Sequence, residues 1–220
     1  MSKKYNSQQT IDIILATAKE LFLEKGFDKI SMQEIASVAG ISKGAIYHHF
    51  KSKEEIINRV KDQQSNTLIK EANRWAEENT DLTGKEKLIT LLKKSVDPTI
   101  HNLDNAIKAR VKSAEFIVTY MKSCINQSAP LISKIIKEGI NDGSLQTNYP
   151  DECAEVLVLL LNIWCDPAIF DCDLNKLINK LNFLKDATDA IGLEILSSEM
   201  ISSFVAFLRT LYNQEFPTYN

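Results

Sequence analysis

The sequence predicts an all-α protein, and three observations carry that prediction. Proline and glycine are scarce, with five and seven copies in 220 residues. No stretch alternates apolar and polar residues for long enough to indicate a sheet. Apolar residues instead recur at helical spacing, and the S-x-x-E pattern of a helix start occurs twice, at Ser31 and at Ser52. With 44% apolar residues the chain can bury a good core, in one large domain or two smaller ones.

The N-terminal region predicts one amphipathic helix, two short helices and a fourth, longer helix. A first amphipathic helix ends at Gly26, which we expect in a left-handed conformation. Its apolar stripe comprises Ile11, Ile14, Leu15, Ala18, Leu21 and Phe22. Capping boxes of Ser31 with Glu34 and of Ser52 with Glu55 open the second and fourth helices, and Ser42 caps the third. Starts at 31, 42 and 52 with a glycine in the middle connection are typical of a helix-turn-helix.

Charge divides the chain into two parts. Residues 1–70 hold 11 Lys and Arg against 8 Asp and Glu, whereas residues 71–220 hold 15 against 21. Gly26–Lys53 forms a short positive stretch that suits a polyanion such as DNA. The longest apolar run, Val156–Cys165, is half as long as a bilayer span requires, and no export signal precedes Thr10. The four cysteines form no C-x-x-C pair, so we expect reduced packing residues, no membrane and a cytoplasmic protein.

Two of the three histidines, His48 and His49, are neighbours in the third helix. Adjacent helical residues point about 100° apart, whereas ligand pairs need a spacing of three or four, so we expect no metal here. Motifs for nucleophilic catalysis and phosphate loops are absent, which argues against an enzyme or a cofactor. If Ile46 and Phe50 point inward, the outer arc carries Gly44, Ala45, Tyr47 and His48, with Lys43 and His49 on the flanks. This small, aromatic and basic face fits a DNA major groove better than a purely solvated surface.

Residues 26–55 carry a family resemblance. Gly26-Phe27, Ser31-Met32-Gln33-Glu34-Ile35-Ala36 and Ile41–Glu55 resemble the DNA-binding domain of TetR/AcrR transcriptional regulators. The resemblance covers residues 8 to 68. It implies an N-terminal three-helix domain, residues 1–52, and a larger C-terminal helical domain, residues 53–220, that binds an effector and dimerises. A linker helix, residues 53–79, enters the second domain.

The resemblance also implies which residues meet DNA. Ser42–Phe50 becomes the recognition helix, with Lys43, Gly44, Ala45 and Tyr47 nearest the base edges. Gln33 contributes from the preceding helix. Phosphates are expected near His48, His49 and Lys53, and the hydroxyls of Ser31 and Tyr47 can bond the DNA backbone as well. For Ser31 and Ser52 capping is the main role, with a phosphate contact added, and the helix cap Ser42 is counted among the DNA-binding residues. Such domains work as two-fold dimers on palindromic operators.

The second half predicts a dimer seam and a pocket. Val156–Cys165 is apolar almost all round, so one face should meet its own domain and the other a partner copy, together with Phe204, Phe207, Leu208 and Leu211. Burial within a monomer is the alternative. Candidate pocket residues for a small apolar or amphipathic effector are Trp75, Phe116, Tyr120, Met121 and Trp164, with His101, Arg110, Glu115 and Asn162 as polar neighbours, although each also fits an ordinary core or surface. The expected function is a repressor released by its effector. A DNA-binding adaptor controlled by a protein partner stays open as the alternative.

Overall fold

A computed structural model describes residues 6–97, 114–167, 169–170 and 172–211. Every regular element in these ranges is helical, which confirms the all-α prediction. The chain divides into two compact units, a first that includes residues 6–66 and a second that includes residues 67–97 and 114–211. No helix in the described ranges has both the length and the apolar character of a membrane crossing.

The first unit contains three helices and the start of a fourth. These are α1 (Ser7–Lys25), α2 (Met32–Val38), α3 (Lys43–His49) and α4 (Lys53–Glu78), with a 3-10 turn at Phe27–Lys29. The predicted stripe of α1 is buried except for the half-buried Ile11. It packs with Phe27, Ile35, Ile46, Phe50 and Ile56 in one apolar core. The helix starts predicted at 31, 42 and 52 are each confirmed to within one residue.

The end of α1 differs from the expectation. Gly26 has a φ of 79°, but its ψ of 153° is not the left-handed helical conformation that was predicted. The residue lies instead in an extended region with positive φ that is open to glycine alone. The chain therefore leaves α1 in an extended direction, which carries Phe27 back onto the core.

The second unit contains the remainder of α4 and the later helices. Numbering only described helices, these are α5 (Gly84–Ser95), α6 (Ala114–Ser123), α7 (Ala129–Asp142), α8 (Pro150–Leu159), α9 (Leu174–Ala190) and α10 (Ser198–Leu211). Their inner faces form a second apolar core around residues such as Leu88, Ile135, Leu157 and Leu177. The connection around Gly192 separates two helices, because α9 ends at Ala190 and α10 starts at Ser198. Gly192 has a φ of 82°, and a side chain there would meet the Gln146 carbonyl oxygen at 1.7 Å.

Two π-helical segments interrupt the second unit. Cys124–Ser128 joins α6 to α7, and Leu160–Trp164 continues α8. The N–H groups of Ala129 and Cys165 donate to carbonyls five residues back, on Cys124 and Leu160. The Ala129-Pro130 pair suggests a loop between two helices, but the structure has a continuous π-helical segment there instead. The wider turn precedes Pro130, which has no N–H to donate to the preceding turn.

Candidate nucleic-acid interface

Helix α3 is held by one cap and two inward side chains. The Ser42 hydroxyl accepts the N–H of Ala45 at 3.1 Å, as the sequence predicts. Ile46 and Phe50 are buried in the core of the first unit. The Phe50 N–H donates to the Ile46 carbonyl at 2.9 Å and ends the helix. With this anchoring, the direction in which the other α3 side chains point is fixed.

Helix α2 is held by a cap and an ion pair rather than by a full capping box. The Ser31 hydroxyl accepts the Glu34 N–H at 3.1 Å. The capping box predicts that the Glu34 carboxylate accepts the Ser31 N–H, but this carboxylate accepts instead from the Lys25 ammonium at 2.9 Å. This hydrogen bond, with the charge of Glu34, raises the pKa of Lys25. The pair ties α2 to the end of α1 and neutralises an acidic group beside the basic surface.

The turn between α2 and α3 depends on Gly40. Its φ of 67° is left-handed, where a side chain is strained. The Ile41 N–H donates to the Ala36 carbonyl at 3.0 Å across this turn. Gly40 therefore sets the path from α2 into α3 that a helix-turn-helix requires.

The residues predicted to meet DNA lie on the surface of the first unit. Lys43, Gly44, Tyr47 and His48 are exposed on α3, whereas Ala45 and His49 are half-buried. Tyr47 keeps 45% of its surface accessible although it is a large aromatic residue. The two caps and Gln33 are exposed as well. The exposed positions follow the outer arc that helical geometry predicts from inward Ile46 and Phe50.

Gly44 has no packing reason to be glycine. A Cβ built there would contact only the Ser42 hydroxyl, at an ordinary 3.9 Å. Glycine inside a helix costs about 1 kcal/mol relative to alanine. The fold would therefore be at least as stable with alanine, and the described neighbours do not require the absence of a side chain. Close approach of the α3 backbone to another surface is the use that fits.

The paired histidines contact each other rather than point apart. Their ring centroids are 5.1 Å apart and the rings are inclined by 72°, in an edge-to-face arrangement. The expectation that they diverge is wrong in this respect, because rotation about the side-chain bonds offsets the angular separation of the Cα–Cβ bonds. In the described ranges no three His, Cys, Asp or Glu side chains converge as a metal site would need.

Lys53 is placed differently from the other predicted cations. Its ammonium donates to the Phe27 carbonyl at 2.7 Å and lies 4.2 Å from the centroid of the Phe27 ring. Lys43 and Lys51, by contrast, are exposed. No sequence signal indicated this internal contact, because Phe27 and Lys53 are 26 positions apart.

The start of α4, the helix after α3, is also only half a capping box. The Ser52 hydroxyl accepts the Glu55 N–H at 3.2 Å, as predicted. The Glu55 carboxylate accepts the N–H of Lys51 at 2.7 Å instead of the N–H of Ser52. The carboxylate thus bonds one residue further back, which closes the turn that joins α3 to α4.

The described members of the predicted effector-pocket set make different contacts in the second unit, and only Tyr120 and Asn162 are shown to bond each other. The Trp75 ring lies 4.1 Å from the Lys94 ammonium, and Trp164 stacks edge-to-face on Phe183. The Tyr120 hydroxyl donates to the Asn162 side-chain oxygen at 3.1 Å, and Met121 is partly exposed. Phe116 belongs to α6, but its side chain, like that of Glu115, lies outside the described residues, as do His101 and Arg110.

Two cavities of the second unit have other linings. A charged, open groove of about 620 Å³ runs along α7 and the start of α8. Its polar lining includes Ser133, Lys137 and Asp151, whose side chains already bond one another. A small apolar cavity of about 10 Å³ lies among Leu92, Leu161, Leu181, Leu196, Met200, Ile201 and Phe204. The predicted set lines neither cavity, so the pocket stays a prediction.

The apolar run at 156–165 is partly buried and partly exposed. Leu157, Val158, Leu161, Ile163 and Cys165 are buried in the core of the second unit. Val156 is 53% exposed, and Leu159 and Leu160 are half-buried. On α10, Phe204 and Phe207 are half-buried with ring centroids 6.5 Å apart, and the side chain of Leu211 is outside the described residues. One side of the run thus packs inward, and its use by a partner copy stays a prediction.

The four cysteines are free and buried, as expected of packing residues, and their reduced state stays a prediction. Burial raises the pKa of Cys124 to about 11 and that of Cys165 to about 12. The pKa of Cys172 is raised by the same cause. Since the thiolate is the reactive form, these thiols are poor nucleophiles at neutral pH.

The chain is similar to known bacterial regulators. Residues 14–60 match "Bacterial regulatory proteins, tetR family" and residues 101–187 match "Tetracyclin repressor-like, C-terminal domain". The Transposon Tn10 TetC protein of Escherichia coli is 29% identical over 168 residues, 72% of this chain and 78% of that protein. The HTH-type transcriptional repressor KstR2 of Rhodococcus jostii is 26% identical over 145 residues, 64% of this chain and 70% of that protein.

Solved structures share the fold. A transcriptional regulator from Cytophaga hutchinsonii has a TM-score of 0.60 at 19% identity, over 92% of this chain and 94% of that chain. The regulator FadR from Bacillus subtilis, solved in complex with stearoyl-CoA, has a TM-score of 0.54 at 19% identity, over 93% of this chain and 98% of that chain. At these identities the likeness concerns the fold alone.

Proposed function

The chain belongs to the TetR family of DNA-binding transcriptional regulators, and we propose that it is a homodimeric repressor released from DNA by a small-molecule effector. In this proposal residues 1–52 read a palindromic operator, and residues 53–220 dimerise and bind the effector. We propose no enzymatic role for this chain, and we place its action in the cytoplasm together with its DNA target.

The observation that carries DNA reading is the composition of the outer face of α3. Tyr47 is exposed although it is large and aromatic, and Gly44 has no side chain although the fold has room for one. Both choices are unfavourable for a solvated helix and favourable for one that enters a groove. Lys43 stands at the first position of the same helix, where a cation can reach a guanine edge.

The proposed dimer rests on the apolar residues that the second unit leaves partly uncovered. Val156, Leu159 and Leu160 retain accessible surface on one side of a segment whose other side is buried. The aromatic pair Phe204 and Phe207 on α10 adds half-buried surface of the same kind. Two copies double the number of base pairs read, because each α3 covers one half-site.

One solved structure of this fold supports an apolar or amphipathic effector, and one relative supports the role of repressor. FadR from Bacillus subtilis was solved in complex with stearoyl-CoA, an amphipathic ligand, and KstR2 is a repressor. An effector that binds better to the conformer that does not fit the operator lowers operator affinity, by at most the difference in its binding free energies for the two conformers. Repression relieved by ligand follows from that coupling.

Selection of bound sites from random DNA tests the proposal most directly. We expect an enriched palindrome with a fixed half-site spacing, bound by a protein with twice the mass of the chain. Enrichment of an unsymmetrical site by a monomer would contradict the dimer, and no enrichment would contradict sequence-specific reading.

A thermal-shift screen then separates the effector from a protein partner. A ligand class that raises the melting temperature and also weakens operator binding supports the proposed sensor. If the same compounds leave operator binding unchanged while a purified protein partner weakens it, the adaptor alternative is the correct one. Acyl-CoA thioesters of different chain length are the first compounds to test, with free CoA as the control.

A further inference from the structure

Lys53, the first residue of α4, makes two contacts with one residue of the turn that follows α1. Its ammonium donates to the Phe27 carbonyl at 2.7 Å and lies 4.2 Å from the centroid of the Phe27 ring. The side chain of Lys53 is half-buried. A cation that is hydrogen-bonded and stacked on an aromatic ring is held in one place, unlike the exposed lysines nearby.

Phe27 provides a fixed anchor for this cation. Its side chain is 8% exposed, and its ring lies 5.2 Å from that of the fully buried Phe22. The unusual backbone of Gly26 brings Phe27 onto the core directly after α1 ends. Whatever bonds to Phe27 is therefore fixed relative to the core of the first unit.

The other polar bonds at the start of α4 are local. The Ser52 hydroxyl accepts from Glu55, and the Glu55 carboxylate accepts from Lys51, so both bonds close the turn from α3. They set the conformation of that turn. Apolar packing of Ile56, Ile57 and Val60 joins α4 to the core of α1, and the Lys53–Phe27 contact adds a polar tie to the turn after α1, across 26 positions of sequence.

We propose that Lys53 is a positioning residue, which fixes the first turn of α4 against the turn after α1 and so holds the end of the α3–α4 connection in place within the DNA-reading unit. This inference rests on the proposed function. Its consequence differs from that of a phosphate contact. Loss of a phosphate contact weakens binding to every DNA sequence and lowers the salt dependence by about 0.9 in the slope of log K against log[salt]. Loss of a positioning contact weakens binding to the two-fold operator and leaves that slope unchanged.

The test compares Lys53→Met with Lys51→Met in the full-length protein. Met keeps the apolar stem and removes the ammonium, and the exposed Lys51 provides a matched loss of one charge two positions away. Affinities for the selected operator and for random-sequence DNA are measured at several salt concentrations, together with the melting temperature. We expect Lys53→Met to lower the melting temperature by about 2–4 °C. Operator affinity should fall at least about fivefold, with random-DNA affinity and salt slope unchanged.

Other outcomes would overturn the inference. Equal loss on both DNAs with a slope reduced by about 0.9 would make Lys53 a phosphate contact. No change in melting temperature relative to Lys51→Met would show that the contact with Phe27 does not hold α4. The melting arm needs no DNA, so it reports on Lys53 even if the wild-type chain enriches no operator and the proposed function fails.

The conservative variant Lys53→Arg provides a rescue. A guanidinium donates hydrogen bonds and stacks on aromatic rings, so it can replace both contacts with Phe27. We expect it to restore operator affinity and melting temperature together. Restoration of the melting temperature without operator affinity would show that the contact stabilises the fold but does not position α4 for DNA binding.

Discussion

Gly44 on α3 and Gly84 at the start of α5 are both helical glycines, yet they serve opposite needs. A Cβ on Gly44 would contact only the Ser42 hydroxyl at 3.9 Å, whereas a Cβ on Gly84 would lie 2.2 Å from the backbone nitrogen of Gly139. In the first unit the absent side chain leaves an exposed backbone open. In the second it lets α5 and α7 touch. A small residue therefore points to a binding surface only where the fold does not already need it.

The same contrast holds for lysines. Lys43 is exposed on the outer face of α3, whereas Lys87 of α5 is buried and pairs with Glu138 of α7 at 2.8 Å. Around that pair, Asp142 accepts the Gly84 N–H at 2.7 Å and Ser144 accepts the Lys85 N–H at 3.1 Å. Polar groups of the second unit thus satisfy each other, while those of α3 remain available to a partner.

Gly84→Ala should have the largest effect on folding. The added methyl group meets backbone of Gly139 that cannot move without separating α5 from α7, so we expect a loss of about 3 kcal/mol in the free energy of unfolding. Urea titration followed by tryptophan fluorescence measures it, because Trp75 and Trp164 both belong to the second unit. A stability equal to that of the wild type would show that the two helices are not in this close contact.

Gly44→Ala should leave folding intact and weaken binding to the operator DNA. We expect unchanged or slightly higher stability, because alanine favours a helix by up to about 1 kcal/mol. Operator affinity should fall about tenfold or more, since the methyl group keeps the α3 backbone away from the groove. Fluorescence anisotropy with labelled operator measures it, with Gly84→Ala as the control for a folding defect. Full affinity in Gly44→Ala would remove the close-approach argument.

Ser42→Ala should have a smaller effect that is confined to the first unit. The hydroxyl caps α3 through the Ala45 N–H, and loss of an N-cap costs about 1 kcal/mol. Amide hydrogen exchange in α3 should accelerate while exchange in α7 stays unchanged. Ser42→Asp is the matched variant, because aspartate caps equally well but adds a negative charge at the proposed DNA surface. Faster exchange in both variants would mean that Ser42 does not act as a cap.

The smallest of the expected effects is a difference between the two units in how their stability depends on acid pH. In the second unit, hydrogen bonds lower the pKa of Asp142, chiefly from Ser144, and that of Asp151, chiefly from Lys137. In the first unit, burial raises the pKa of Asp62. Groups with a lowered pKa stabilise the fold above their ordinary value near 4 and lose this contribution as the pH falls through the lowered value. Because burial makes the ionised form of Asp62 unfavourable in the folded protein, protonation of Asp62 at low pH removes a cost to the stability of the first unit.

The second unit should therefore lose stability first as the pH falls from 5 to 3. Tryptophan fluorescence reports on that unit, and amide exchange in α1–α3 reports on the first. Asp142→Asn should reduce the acid sensitivity of the fluorescence signal. Earlier exchange in α1–α3 than loss of the fluorescence signal would contradict the assignment.

Much of the first unit was predictable because its signals are local. The cap at Ser42, the glycine in the connection before α3 and the inward pair Ile46 and Phe50 each depend on residues within a few positions. The reciprocal halves of the capping boxes were not predictable. Glu34 has a competing cation on α1, and Glu55 finds the N–H of Lys51 nearer than that of Ser52. A carboxylate bonds to whichever donor the packing brings closest.

Gly84 and Pro130 of the second unit show the same limit. Thr83 and Glu86 do form a full capping box, but Gly84 is inside α5, in contact with α7. Pro130 follows a π-helical segment rather than a loop. The sequence marks where a backbone is unusual, and tertiary packing decides which unusual conformation it takes.

The sequence by itself determined the helical fold, the start of each N-terminal helix and the outward set on α3. Helical periodicity and capping are local, and one buried pair fixes the direction of every other side chain on a short helix. Only the tertiary structure decided that Lys53 bonds to Phe27, that Gly84 is needed by α7 and that Gly44 is not needed by any neighbour. Those are contacts between residues distant in sequence, and no local pattern specifies which surfaces will meet.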